Sequence, residues 1–98
     1  MTRTLAAECP LFVVCYDISD DRERRRVDRL LLGYGHRRQH SVFECRLPVA
    51  ARRRLNQQLE ALRLCTGHVR IYRVFAGAAS PVIGAAPADP DDVFCYTA

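Results

Sequence analysis

The chain has no lysine, no tryptophan and a single methionine among its 98 residues. All 15 basic residues are therefore arginines, set against 11 acids, for a formal net charge of +4. The planar arginine fork suits bidentate phosphate contacts better than an ammonium does, but a GC-rich genome produces the same usage. Composition thus permits a nucleic-acid partner without establishing one. No P-loop and no GxGxxG is present, which argues against a nucleotide cofactor. No apolar run approaches membrane length, so no membrane partner is expected.

Two other absences bound the metal chemistry. The five cysteines, at positions 9, 15, 45, 65 and 95, form no CxxC pair. His36, His40 and His68 have neither HExxH spacing nor a cysteine at zinc spacing, so ordinary polar positions are expected for them. The odd cysteine count and the lack of an export signal point to a reducing, cytoplasmic setting. Glu8 and Pro10 interrupt the apolar stretch after Arg3, and no small-residue cleavage site follows.

The length suits one small domain whose core buries a modest share of its surface, so burial against a partner would add stability. Residues 1–10 read as an N-terminal extension, 11–76 as the folded domain and 77–98 as a C-terminal arm. The apolar run Leu11-Phe12-Val13-Val14-Cys15, ending in Tyr16-Asp17-Ile18, predicts a first strand. Asp20 and Glu23 have capping-box spacing and start a helix. On it Val27, Leu30, Leu31 and Tyr34 form the core stripe, while Arg22, Arg25, Arg26 and Arg29 repeat on another face. Gly33 and Gly35 are expected to end this helix through a left-handed cap.

Residues 37–47 read as an extended, hairpin-like segment. Pro48 then opens a second helix with Ala51, Leu55, Leu59 and Leu62 inward and Arg53, Gln57 and Glu60 facing water. Gly67 is expected to close it before a strand at 70–75. Residues 77–90, rich in Ala, Gly and Pro, predict an irregular arm leading to a last strand, Val93–Tyr96. The order strand, helix, extended pair, helix, strand is that of an α+β ferredoxin-like βαββαβ sandwich. Two helices cover one face of such a sheet, yet the first strand is apolar at every position from 11 to 16. A homodimer with the bare faces packed together follows.

Asp17 is the first candidate for chemistry. Phosphodiester hydrolysis needs a metal-bound water and a Lewis acid on the phosphate, and Mg²⁺ chooses carboxylate oxygens. One carboxylate is a poor site, but a two-fold axis supplies a second copy. The alternative is a solvated strand end. The arginine face of the first helix either reads a phosphate backbone or pairs locally with Asp21 and Asp28. Arg37, Arg38 and Arg46 extend the basic surface. Tyr16 either stacks on a base or packs the strand end.

The run Tyr16-Asp17-Ile18-Ser19-Asp20-Asp21-Arg22-Glu23-Arg24-Arg25-Arg26-Val27, followed by Gly33-Tyr34-Gly35-His36-Arg37-Arg38-Gln39-His40-Ser41-Val42-Phe43-Glu44-Cys45, resembles the CRISPR-associated Cas2 family. The likeness runs from about Leu11 to Phe75, with an echo in residues 80–84. It implies a ferredoxin-like homodimer whose C-terminal strand, here Val93–Tyr96, pairs with the partner's sheet. It also implies a metal-dependent endonuclease acting on RNA or double-stranded DNA during spacer acquisition, with Asp17 as the catalytic residue and Mg²⁺ ligand. Arg24, Arg26, Arg38 and Phe43 fall where family members carry residues implicated in activity. A second implied role is a non-catalytic bridge that joins dimers of the Cas1 integrase and clamps protospacer DNA. A related VapD-like toxin RNase family shares the fold.

Overall fold

A computed structural model describes residues 9–75 and 83–85. Six elements follow in order: β1 (Leu11–Ile18), α1 (Asp21–Leu32), β2 (His36–Gln39), β3 (Val42–Arg46), α2 (Val49–Ala61) and β4 (Gly67–Val74). The strands form one antiparallel sheet in the order β2-β3-β1-β4. This is the ferredoxin-like α+β arrangement expected from the sequence. The expected strand at 93–96 lies outside the described residues, as does most of the 77–98 arm.

β1 alternates within the chain. Phe12, Val14, Tyr16 and Ile18 are buried, Leu11, Val13 and Cys15 are half-buried, and Asp17 is exposed. The buried set joins Val27 and Leu31 of α1, Phe43 and Cys45 of β3, and Ala51 and Leu55 of α2 in one core. Burying each large member removes apolar area worth about 1.5–3 kcal/mol. Among the described residues the other face carries no helix. By strand alternation and register it presents Leu11, Val13, Cys15 and Asp17 beside Val74, Tyr72, Arg70 and His68 of β4.

Three local expectations are corrected. Gly33 caps α1 in a right-handed conformation (φ −77°), not a left-handed one. Gly35 is needed for close approach instead: a Cβ there would sit 2.2 Å from the Glu44 carbonyl oxygen. α2 ends at Ala61, and the left-handed residue after it is Arg63 (φ 52°), so Gly67 does not close the helix. Gly67 opens β4, where a Cβ would lie 1.8 Å from the Asp17 carbonyl oxygen. Pro48 is the N-cap of α2 rather than a residue within it.

The cysteines divide unexpectedly. Cys15, Cys45 and Cys65 form no disulfide, whereas Cys9 is disulfide-bonded, a departure from the reducing setting expected from the sequence. Among the described residues no helix is long and apolar enough to cross a membrane.

Candidate functional site

Asp17 stands one residue from the end of β1, on the helix-free face, and is exposed. Its direct cross-strand partner on β4 is His68, also exposed. One rung further along the same face, Cys15 is opposite Arg70. No group of three or more His, Cys, Asp or Glu side chains converges among the described residues. The donor chemistry that each chain offers at Asp17 is one uncommitted, water-facing carboxylate. That fits an ion such as Mg²⁺, which keeps several waters and takes one or two carboxylates from protein.

The corner is built by a clasp between the loops that flank it. The Ser19 N–H donates to the Thr66 carbonyl at 3.1 Å, and the Asp20 N–H to the Thr66 hydroxyl at 3.1 Å. The Glu23 carboxylate accepts from the Cys65 and Thr66 amides at 2.8 and 2.9 Å and from the Thr66 hydroxyl. These bonds, the hydroxyl first and then the two amides, hold the Glu23 carboxyl below its ordinary value. The capping box is therefore only half made. Asp20 accepts from the Glu23 N–H at 3.0 Å, but the Glu23 side chain turns across to the β4 loop instead of back to the cap.

Arg24 joins the same structure, donating to the carbonyls of Ile18 and Ser19 at 2.9 Å each and pairing with Asp21. Its guanidinium thus braces the turn after β1. Arg38 pairs with Glu44 at 3.0 Å across β2 and β3.

Tyr16 and Phe43, expected at a nucleic-acid interface, are both buried in the chain. Tyr16 is 7% exposed, with its hydroxyl donating to Asp28, and Phe43 is fully buried. Neither offers a ring face to a base, because both point to the helix side of the sheet. Burial, reinforced by the Asp28 carboxylate, pushes the Tyr16 phenol up to about 12. Asp28 also pairs with Arg37 at 3.0 Å, whose guanidinium donates to the His40 carbonyl at 2.7 Å and rests 5.0 Å over the Phe43 ring. Tyr16 and Phe43 thereby fix the β2–β3 hairpin to α1.

Arg22, Arg25, Arg26 and Arg29 lie along α1 on the side away from its core stripe, as their spacing predicts. Arg26 and Arg29 also line a groove of about 620 Å³ between the two helices, with Arg54 of α2 on its far wall and Leu30, Tyr34 and Leu62 below. The basic surface therefore continues onto α2. Sequence reasoning misses Arg54, and it misses Thr66 and His68 as neighbours of Asp17. Glu23 does carry a signal: it lies four residues before Val27, on the core stripe, where a carboxylate needs a partner.

A family model described as CRISPR associated protein Cas2 matches residues 10–79. The chain belongs to that family. It is 46% identical over 52 residues to a CRISPR-associated endoribonuclease Cas2 of Synechocystis sp., covering 53% of this chain and 56% of that protein. Against a CRISPR-associated endoribonuclease Cas2 of Thermus thermophilus the identity is 52% over 50 residues, covering 51% and 53%. The chain thus spans about half the length of the first curated relatives it matches. A crystal structure of a hypothetical protein from Thermus thermophilus superposes with TM-score 0.72 at 36% identity, covering 82% of this chain and 96% of that one. Streptococcus pyogenes Cas2 does so with TM-score 0.60 at 27% identity, covering 68% and 88%.

Proposed function

We propose that this Cas2-family chain acts in the cytoplasm as a homodimer in CRISPR adaptation, and hydrolyses phosphodiester bonds of RNA or double-stranded DNA with a divalent cation held at Asp17. The observation that carries the reading is the placement of Asp17. Its carboxylate is exposed on the helix-free sheet face, at the end of the stripe Leu11, Val13 and Cys15. A second copy covering that stripe would bring a second Asp17 toward the same axis and double the donor set. Carboxylate oxygens and water suit a hard divalent ion such as Mg²⁺. When bound, the ion would supply Lewis acidity on the phosphate and an activated water. The chain's own part is to hold the carboxylate rigidly, through the Glu23–Thr66 clasp behind it.

The second reading is a non-catalytic bridge that holds protospacer DNA between dimers of the Cas1 integrase. It is favoured by the arginines of α1, which lie on the helix side of the sheet while Asp17 lies on the other. Such arginines position a duplex through phosphate contacts.

Cleavage of RNA and of duplex DNA in Mg²⁺, with EDTA and Asp17→Asn in parallel, separates the two. Loss of cleavage in both controls is expected for the enzyme. Cleavage that survives Asp17→Asn rejects it. A wild-type protein that binds duplex and supports spacer acquisition without cutting supports the bridge. Sedimentation equilibrium of the wild type tests the dimer, and a monomer at micromolar concentration would reject it.

A further inference from the structure

The Asp17 corner contains a second donor that an all-carboxylate site does not need. His68 is the direct antiparallel partner of Asp17. Directly opposed side chains in such a ladder have Cβ atoms about 4.5–5.5 Å apart, within reach of one ion or of one ion and its water. Both residues are exposed, and neither is committed to a hydrogen bond or ion pair among the described residues.

The backbone around this pair is unusually constrained for a strand end. Gly67, immediately before His68, lies so close to the Asp17 and Ile18 backbone that a Cβ would come within 1.8 Å of the Asp17 oxygen. Thr66, one residue earlier, is tied to Ser19, Asp20 and Glu23. His68 is therefore carried on a fixed segment beside Asp17.

We infer that Asp17 and His68 together form a mixed oxygen and nitrogen ligand pair, which makes this chain's site prefer Mn²⁺ over Mg²⁺. The inference rests on the reading of Asp17 as a metal ligand. The chemistry follows from donor softness. Mg²⁺ takes oxygen almost exclusively and sheds water reluctantly, whereas ions further along the first transition row accept imidazole readily. Arg70, on the next rung of the same face, would add a positive charge for a phosphate brought to this corner.

The test is electron paramagnetic resonance of Mn²⁺ bound to the full chain, with Mg²⁺ as competitor, for wild type, His68→Ser and Asp17→Asn. Circular dichroism confirms that each variant folds. Wild-type protein is expected to show nitrogen hyperfine coupling to the bound ion. In His68→Ser that coupling should vanish and the preference for Mn²⁺ should fall by at least about tenfold, the lower end of what loss of supporting metal contacts costs. Bound Mn²⁺ without nitrogen coupling, or a preference unchanged in His68→Ser, would overturn the inference and leave Asp17 as a ligand. Mn²⁺ binding unchanged in Asp17→Asn would overturn both.

Discussion

Thr66 grips Glu23 twice, its amide donating to one carboxylate oxygen at 2.9 Å and its hydroxyl to the same oxygen, while that hydroxyl accepts from the Asp20 amide. Helix α1 and strand β4 are thereby locked together behind the exposed corner. The lock is charged, so it responds to pH. The Glu23 carboxyl lies below its ordinary 4.5 when folded. A depressed carboxyl contributes stability that is complete above the unfolded value and disappears as the pH drops through the folded one. Urea midpoints should therefore fall as the pH is lowered below about 4.5, and the fall should be smaller in Glu23→Gln. Equal acid dependence in the two proteins would contradict this account.

Gly67 should not tolerate a methyl group. The atom it would meet is the Asp17 backbone oxygen, not the end of a flexible side chain. Gly67→Ala is expected to cost about 3 kcal/mol or more, at the upper end of overpacking penalties, and to loosen the pairing of β1 with β4. Chemical denaturation gives the energy, and amide exchange at Arg70 and Tyr72, whose N–H groups face β1, reports the pairing.

Tyr16→Phe separates packing from recognition. The ring stays and the hydroxyl bonds to Asp28 and the His40 carbonyl are lost. Stability should fall by about 1.5–3 kcal/mol, the range for a hydrogen bond to a charged group. Affinity for duplex DNA should be unchanged, because the ring does not reach solvent. A loss of affinity without a loss of stability would place Tyr16 in the interface after all.

Replacing Arg22, Arg25 and Arg26 together by Gln should weaken duplex binding and flatten its salt dependence by about 0.9 per lost phosphate contact in the log–log slope. The same substitution should leave Mn²⁺ binding intact, since α1 and Asp17 are on opposite sides of the sheet. Fluorescence anisotropy over a salt series measures the first effect. An unchanged slope would remove the helix face as a phosphate site.

Much of the fold can be read from periodicity. Val27, Leu31 and Tyr34 recur at helical spacing and are buried, and the strand order follows from βαββαβ connectivity. Turn glycines mislead because their sequence signal is the same whether they permit a left-handed turn or a close backbone approach. Gly67 is the second kind, and only the β1–β4 register reveals it. Asp17 is legible from its place at a strand tip. His68 is not, because it is distant in sequence and becomes a neighbour only through pairing. Tyr16 and Phe43 sit within the recognisable blocks, and their burial, which depends on the helices packed over β1 and β3, is not legible from those blocks.

The central place of β1 has a consequence for synthesis. The strand emerges from the ribosome first, but its two neighbours arrive late: β3 with residues 42–46 and β4 with residues 67–74. Until then a nascent chain carries an apolar segment with both edges unsatisfied, the condition under which chains associate wrongly. The later neighbour both seals that edge and delivers His68 to Asp17. Completion of the fold and completion of the corner are therefore one event, and a chain stalled before residue 67 would have neither.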